Sequence, residues 1–183
     1  FLDESGLREN TLVIYTSDQG FFLGDNGMYD KRLMYEPSIR VPLLVRHPAS
    51  VPAGQVDDRH MLLNVDVAPT FLDAAGVSGG PPMQGRSWLD IARRRRVAGW
   101  RQDFLYQYFE FPAAHCVRRH RGVRTKRWKL IHWDYPQAWE LYDLAADPGE
   151  ARNLAGRPEY ARQEAQLRQR LAELRREFGD LDP

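Results

Sequence analysis

The chain has 183 residues, 43% of them hydrophobic and 28% charged, which is typical of a globular protein with one large core or a large and a small domain. Lys and Arg total 26 and Asp and Glu total 25, so the strong basic excess of a dedicated nucleic-acid binder is excluded. No apolar run is long enough to span a membrane, and the single cysteine, Cys116, excludes an internal disulfide. We therefore expect neither a nucleic-acid nor a membrane partner.

The first predicted elements are two strands. The opening residues FLDESGLREN look like the tail of a helix, and a chain that begins at Phe1 inside such a pattern is expected to be a piece of a longer protein. The runs TLVIYT (11–16) and VPLLVR (41–46) are apolar on both faces, which favours buried parallel strands. Glycines between the two runs exclude a long helix there.

A helix and a basic loop are predicted next. In NVDVAPTFLDAAGV, Asp66 can cap a helix, Pro69 falls in its first turn and Gly76 ends it. The run ARRRR (92–96) is a charge cluster in a predicted loop. It is either a solvated surface or an anion-binding patch.

The second half of the chain has a different pattern, which begins near residues 93–103. Short aromatic runs separated by turn signals such as Asp147-Pro148-Gly149 predict a small antiparallel sheet. These runs are FLYQYFEF, GVRT, WKLIHW and WELYDL. Residues 158–178 predict a final helix whose apolar stripe packs on the sheet. The stripe consists of Tyr160, Leu167, Leu171, Leu174 and Phe178.

Polar side chains follow the first predicted strand. Asp18 and Gln19 come directly after TLVIYTS, and ligands of an open parallel sheet bind beyond the carboxyl ends of its strands. Carboxylate and amide oxygens suit calcium or magnesium, although two residues cannot complete a shell of about six to eight oxygens. Alternatively, both residues only turn the chain. Lys31 could bind a sulfate or phosphate oxygen, or it could be an exposed surface lysine.

Several segments in series resemble the formylglycine-dependent sulfatases of the alkaline-phosphatase superfamily. NTLVIYTSDQGFFLGDNGMYDKRLMYEPSIRVPLLVR is similar to the metal-binding segment of that family, and the resemblance continues through NVDVAPTFLDAAGV, MQGRSW, GVRTKRWKLIHW and ELYDLAADPGEARNLA. It implies an α/β fold. Residues 1–98 would be the C-terminal part of an alkaline-phosphatase-like α/β sandwich that forms the catalytic domain. Residues 99–183 would be a small antiparallel sheet with a C-terminal helix.

The same resemblance implies roles for individual residues. Asp18 matches an aspartate ligand of one calcium ion, and Gln19 matches the adjacent amide ligand. Lys31 matches the lysine that contacts the sulfate group. Asn26 stands where many relatives have histidine, and an amide cannot titrate near neutral pH as a histidine does.

The nucleophile of the family is not predicted within this chain. Sulfatases convert the cysteine of a Cys-x-Pro/Ala-x-Arg motif to formylglycine, and its hydrated aldehyde attacks sulfur while calcium and basic side chains stabilise the charged oxygens. In CVRRH, Arg118 and His120 take the Pro/Ala and Arg places, so Cys116 is not that nucleophile. We therefore expect turnover to require a missing N-terminal sulfatase portion that supplies the nucleophile and the other metal ligands.

The neighbours of Lys31 point to a sugar substrate. Asp30 and Arg32 could bind hydroxyl groups, or they could form a surface ion pair. His115 and His120, in the basic segment YFEFPAAHCVRRHRGVRT, could line a sugar pocket. This combination resembles N-acetylglucosamine-6-sulfatases and related carbohydrate sulfatases, which implies a sulfated small-molecule or glycan substrate. The aromatic residues that could stack on sugar rings, or form the sheet core instead, are Trp128, Trp133, Trp139, Tyr106 and Tyr108.

Two other functions are compatible with these residues. A phosphatase or phosphonate hydrolase of the same superfamily would use similar ligands at the strand end. A non-catalytic binding module would keep the fold without the chemistry. The leading prediction is the C-terminal fragment of a sulfuric ester hydrolase that carries part of the calcium and sulfate site.

Overall fold

The computed structural model describes residues 1–180, which form two compact units. The first unit contains Phe1–Asp18 and Val41–Arg101, and the second contains Gln19–Arg40 and the residues from Gln102 onward. The predicted division after residue 98 lies close to the break at Arg101. However, Gln19–Arg40 clusters with the second unit rather than with the strands that flank it in sequence. The assignment of residues 1–98 and 99–183 to a catalytic domain and a subdomain stays a prediction.

Among the described residues, the regular elements are eight strands and four α-helices, together with short 3-10 helices. The strands are β1 (Val13–Thr16), β2 (Phe22–Leu23), β3 (Tyr29–Asp30), β4 (Leu43–Arg46), β5 (Asp103–Tyr108), β6 (His120–Thr125), β7 (Trp128–Trp133) and β8 (Ala138–Asp143). The helices are α1 (Glu36–Ile39), α2 (Val67–Ala74), α3 (Leu89–Ala92) and α4 (Ala161–Glu177).

The two apolar runs of the first unit pair with each other, but not as predicted. β1 and β4 are antiparallel, with Tyr15 opposite Leu44, and both of these side chains are 64% exposed. The prediction of buried parallel strands is therefore wrong for the described residues. An uninterrupted apolar run indicates that both faces of a strand accept apolar cover, but it carries no information about the direction of the neighbouring strand.

The opposite face of this two-stranded sheet belongs to the core of the first unit. Ile14, Leu43 and Val45 pack against a buried cluster that contains Trp88 and Trp100. The sheet of the first unit therefore has one covered face and one exposed apolar face.

The predicted helix of the first unit is present as α2, and Gly76 ends it with a positive φ of 68°. Asp66 lies directly before α2, but its buried carboxylate does not cap that helix. It accepts the Leu63 and Arg86 N–H groups, each at 2.8 Å, and pairs with Arg101. Asp66 therefore joins three separated stretches of the first unit.

The basic run after α3 belongs to the surface of the first unit. Arg94 donates to the Gln55 side chain at 2.9 Å and to the Val56 carbonyl at 2.8 Å, while Arg95 pairs with Asp90 at 3.0 Å. Arg94 and Arg95 are both exposed. These contacts agree with the interpretation of the run as a solvated surface.

The second unit contains the predicted antiparallel sheet, in the order β5-β6-β7-β8. One face of the sheet packs on α4, as the apolar stripe of that helix predicts. The core of this contact consists of Val123, Leu130, Leu141, Leu154, Leu167, Leu171 and Leu174, none more than 4% exposed. Trp128 and Trp139 pack at its margin, which confirms their interpretation as core residues.

The other face of the same sheet is covered by Gln19–Arg40, which the sequence did not predict. Phe22, Met34 and Tyr35 from this segment form a buried cluster with Ile131 and Tyr142 of the sheet. Partly buried Tyr106 and Trp133 pack against the same cluster. The four-stranded sheet is therefore covered on both faces by residues of the second unit.

A glycine makes this second layer possible. A Cβ atom on Gly122 of β6 would lie 2.4 Å from both the Met34 sulfur and the Leu130 carbonyl oxygen. Only a residue without a side chain lets Met34 approach the sheet this closely.

Within residues 1–180, no helix is long and apolar enough to cross a membrane.

Candidate functional site

The backbone around Lys31 adopts an unusual conformation. Strands β2 and β3 form a short antiparallel hairpin, with Phe22 opposite Asp30. Asp30 and Arg32, on either side of Lys31, have positive φ values of 93° and 125°. Each such conformation costs a non-glycine residue on the order of 1–3 kcal/mol and is common at functional sites. The rest of the second unit must supply the contacts that hold this segment.

One of these contacts comes from α1. The Arg32 N–H group donates to the hydroxyl of Ser38 at 3.3 Å, and Ser38 is buried. Lys31 itself is half-buried, and among residues 1–180 its ammonium group has no hydrogen bond or ion pair. The segment therefore presents a cation that no described carboxylate neutralises.

Three of the predicted substrate-binding residues lie together. The Arg32 Nη1 atom is 2.6 Å from both carboxylate oxygens of Asp30. The His115 Nδ1 atom lies 3.6 Å from Asp30 Oδ2, and the His115 side chain is 45% exposed. Asp30 and Arg32 thus form an ion pair and still keep 36% and 19% of their side chains exposed. The cluster presents an acceptor, a guanidinium and an imidazole at the surface of the second unit.

Tyr108, at the end of β5, is a residue that sequence analysis considered only as a stacking or core residue. Burial raises the pKa of Tyr108, and its hydrogen bond to Glu110, at 3.2 Å, acts in the same direction. The charges of Arg32 and Asp30 act on the pKa of this phenol in opposite directions, since the guanidinium lowers it and the carboxylate raises it. Its ring lies 5.5 Å from the ring of buried His120 between centroids, so Tyr108 continues the aromatic layer of the sheet.

His120 lies in the sheet core, away from the exposed part of this cluster. It is 1% exposed, and its ring stacks on Trp133 at 4.4 Å and on Tyr106 at 5.5 Å between centroids. Its Nδ1 atom donates to the Arg118 carbonyl at 2.9 Å, and burial lowers its pKa. His120 therefore supports the aromatic face of the sheet as a neutral imidazole and presents no surface to a substrate here.

Asp18 and Gln19 occupy the chain position that joins the two units. Asp18 is exposed at the end of the first unit, and its Oδ1 atom accepts a hydrogen bond from Ser17 at 3.2 Å. Gln19 begins the second unit, next to the tightly held Gly20. A Cβ atom on Gly20 would lie 2.0 Å from the Pro37 carbonyl oxygen, so this position requires glycine.

The donor types of Asp18 and Gln19 fit a hard divalent cation, but the pair supplies only part of a coordination shell. Within residues 1–180, no group of three or more His, Cys, Asp or Glu side chains is arranged to hold a metal ion.

Cys116 is exposed, with its sulfur 3.6 Å from the Ala113 carbonyl oxygen.

The fold is that of the C-terminal region of a sulfatase, with an alkaline-phosphatase-like α/β architecture. Residues 24–177 match the family described as "N-sulphoglucosamine sulphohydrolase, C-terminal". The chain belongs to this family.

Curated relatives agree with this assignment. The chain is 44% identical over 186 residues to an N-acetylglucosamine-6-O-sulfatase of Bacteroides thetaiotaomicron, a match that covers 100% of the chain and 33% of the relative. It is 32% identical over 185 residues to the human N-acetylglucosamine-6-sulfatase, covering 84% of the chain and 33% of the relative. The chain therefore spans about a third of the length of these relatives and corresponds to their C-terminal part.

Solved structures show the same fold. One, described as a complex with its substrate D-glucosamine-2-N,6-O-disulfate, is 44% identical and superposes with a TM-score of 0.93 over 100% of this chain and 37% of that one. The phosphonate monoester hydrolase of Agrobacterium radiobacter is 26% identical, with a TM-score of 0.81 over 96% of this chain and 37% of that one. These neighbours confirm the predicted fold class.

Proposed function

We propose that this chain is the C-terminal part of an enzyme that hydrolyses sulfate esters of carbohydrates, with 6-O-sulfated N-acetylglucosamine as the substrate class. The observation that supports the proposal is the strained segment Asp30–Arg32, in which Lys31 stands in sequence between a paired carboxylate and guanidinium. The names of the Bacteroides and human relatives support the choice of sugar.

Each residue of the cluster would have a separate task. The Lys31 ammonium group would bind the sulfate oxygens and stabilise the charge that builds on them in the transition state. Asp30 would accept hydrogen bonds from sugar hydroxyls and Arg32 would donate to them. His115 would contact the sugar from the exposed side of the cluster. His120 would act indirectly, since its ring supports Tyr108 at 5.5 Å between centroids.

The proposal includes a divalent cation, and calcium is the one that the donors favour. Asp18 and Gln19 supply hard oxygen atoms, and neither cysteine nor histidine is adjacent to them in the sequence, as zinc would prefer. When bound, the cation would polarise the sulfate group. The remaining ligands and the formylglycine nucleophile would come from the N-terminal sulfatase portion that the relatives contain and this chain does not span.

The decisive experiment uses the joined enzyme, in which this chain follows the N-terminal two thirds of the Bacteroides relative. In this enzyme, Lys31→Ala should lower kcat/KM for 6-O-sulfated N-acetylglucosamine by about 30- to 1,000-fold, because a charged contact to a desolvated anion is lost. Lys126→Ala is the matched control, since Lys126 is an exposed lysine of the β6–β7 turn. Normal rates with Lys31→Ala would reject the proposed function.

The sugar contacts are tested with two substrates. Asp30→Ala and Arg32→Ala should reduce the rate with the sulfated sugar more than the rate with a small aryl sulfate, because the aryl group has no hydroxyls to bind. Equal losses on both substrates would mean that the two residues only hold the loop. Asp30 and Arg32 are each other's ion-pair partner. The double variant should therefore lose little more activity than either single variant.

A phosphonate or phosphate ester is the second candidate substrate, because the Agrobacterium phosphonate monoester hydrolase shares this fold. The same joined enzyme distinguishes the two reactions when sulfate and phosphonate monoesters of one alcohol are compared. A higher kcat/KM for the phosphonate, abolished by Lys31→Ala, would assign Lys31 to a phosphonate site instead.

A further inference from the structure

The turn that follows β8 contacts residues 26–36, the segment that contains Lys31 and is called the Lys31 segment below, at two points. The Asn26 side-chain amide donates to the Gly149 carbonyl oxygen at 3.0 Å. The Glu36 backbone N–H donates to the Glu150 carboxylate at 2.6 Å. Asn26 precedes Lys31 by five residues and Glu36 follows it by five, so the two contacts lie on either side of the lysine in the chain.

The second of these contacts belongs to a group of four charges, of which Lys129 and Glu150 are buried and Glu36 and Arg124 are partly buried. Lys129 is fully buried, and its ammonium nitrogen lies 3.0 Å from Glu36 Oε1 and 2.5 Å from Glu150 Oε1. Arg124 binds Glu36 through two nitrogen atoms, at 3.1 and 3.2 Å. Two cations thus balance two carboxylates. Separating any one of them would leave a buried charge without its partner, which is costly in a protein interior.

The ionisation of the two carboxylates differs within this group. Burial raises the pKa of Glu150 above its ordinary value, and the charge of Lys129 only partly opposes burial. Burial acts in the same direction on Glu36, but the hydrogen bonds from Arg124 and the charge of Lys129 outweigh it and lower its pKa. Glu36 is therefore held firmly as an anion at the end of the Lys31 segment.

The turn has internal support that does not involve the Lys31 segment. The Asp147 carboxylate accepts the N–H groups of Ala151 and Arg152 at 3.2 and 2.9 Å. Glu150 has a positive φ of 54°, an uncommon conformation for a glutamate. Its carboxylate contacts therefore hold a strained residue in a turn that Asp147 stabilises separately.

We propose that residues 147–150 form a clamp that positions Lys31 for the substrate anion. Glu150 acts through Glu36 and Lys129, and the Gly149 carbonyl acts through Asn26. These are positioning residues, since none of them is assigned a contact with the substrate. The inference rests on the proposed function, because it explains how the sulfate-binding lysine is held. It also gives Asn26, which cannot titrate, a role as a hydrogen-bond donor.

Hydrogen exchange in the 183-residue chain tests the clamp without any assay of activity. Glu150→Gln keeps the shape of the side chain and removes its charge beside Lys129. We expect amide exchange in residues 21–36 to speed up about 10-fold more than exchange in β5–β8, where only the general loss of stability from the uncompensated Lys129 charge acts. Arg152→Gln is the matched control: it removes an exposed charge two residues beyond Glu150, keeps the backbone N–H that Asp147 accepts, and should leave residues 21–36 unchanged. Unchanged exchange with Glu150→Gln, or an equal increase throughout the sheet, would overturn the clamp.

Asn26→Asp provides a milder variant at an exposed position. Aspartate tolerates the positive φ of 53° at this residue but cannot donate to the Gly149 carbonyl. Faster exchange confined to the segment before Lys31 is expected. No change in that segment would remove Asn26 from the clamp.

Activity of the joined enzyme tests whether the clamp acts through Lys31. Glu150→Gln should lower kcat/KM for the sulfated sugar by about 10- to 100-fold, the size of effect that misplacing a contact group produces. In a Lys31→Ala background, the same change should have no further effect, because there is no ammonium group left to position. A general loss of folded enzyme would instead lower the rate in both backgrounds.

The outcomes separate the two proposals. If Lys31→Ala leaves the rate unchanged, the proposed function fails, whatever the exchange data show. If Lys31→Ala lowers the rate but Glu150→Gln does not, or lowers it equally in both backgrounds, only the clamp is overturned.

Discussion

The two units cover their sheets in different ways. In the first unit, one face of the sheet formed by β1 and β4 packs on a core that includes Trp88. On the other face, Tyr15 and Leu44 are each 64% exposed. In the second unit, the four-stranded sheet is covered on one face by α4 and on the other by Gln19–Arg40. The second unit buries both faces of its sheet with its own residues, and the first unit buries only one.

This difference separates two kinds of stability. A sheet with two covered faces gains the free energy of burial on both, so core substitutions there should act on the isolated chain. Apolar side chains that face water across β1 and β4 gain little free energy of burial in the isolated chain. An exposed apolar surface of this kind is suited to contact with another layer of secondary structure. Substitutions in the two sheets should therefore differ in their effect on the free energy of unfolding.

The strongest effect is expected from the charge buried in the second unit. Lys129→Met should lower the free energy of unfolding by about 3–5 kcal/mol, because Glu36 and Glu150 would lose their shared cation. Lys126→Met, at the exposed turn before β7, should change it by less than about 0.5 kcal/mol. Urea titration of the 183-residue variants measures both values. Equal stability of the two variants would show that the Lys129 ion pairs do not contribute to the free energy of unfolding.

A smaller but direct contrast comes from two leucines. Leu141→Ala in β8 removes a fully buried side chain and should cost about 2–5 kcal/mol. Leu44→Ala in β4 removes a largely exposed one and should cost less than about 1 kcal/mol. The two midpoints of urea unfolding are compared in the isolated chain. A cost at Leu44 as large as that at Leu141 would mean that its face is covered in solution.

The smallest expected effect concerns pH and His120. Burial lowers the pKa of His120 below its ordinary value of 6.5, so the unfolded chain takes up a proton before the folded one. Stability should then fall as the pH drops below about 6.5, by at most about 1.4 kcal/mol per pH unit from this group. His120→Phe keeps an aromatic ring in the stack and should flatten this slope.

His132 contributes to the same pH dependence of stability. Burial also lowers its pKa, so part of the slope should remain in His120→Phe. Thermal unfolding between pH 5 and 7, within about two units of the ordinary histidine pKa, measures the change. An identical slope in the variant and the parent chain would show that His120 takes up its proton equally in both states.

Much of the secondary structure follows from local patterns. The aromatic runs and intervening turns predicted the antiparallel sheet, and the stripe around Leu171 predicted the face that α4 buries. Gly76 marked the end of α2. These signals succeed because side-chain periodicity and glycine conformation act within a few residues. The direction of β1 was predicted wrongly, since its apolar run is compatible with either kind of neighbour.

The candidate site was predictable in its chemistry but not in its support. Lys31 and its neighbours could be chosen from residue type and from resemblance to a family. Glu150 carried no comparable signal, because its relevance depends on Glu36, a neighbour far away in the chain. His120 shows the opposite case, in which a suitable residue type in a basic segment is buried in the aromatic core.

Local sequence thus determined α2, α4 and the longer strands, and which side chains could bind an anion or a cation. Only the tertiary structure decided that Gln19–Arg40 leaves the strands that flank it and forms the second layer on the antiparallel sheet. It also decided that Glu36 meets Lys129 and Glu150. The physical reason is that an apolar pattern specifies that a face must be buried but not what buries it. Charges likewise pair according to their distance in space, which separation along the chain does not reveal.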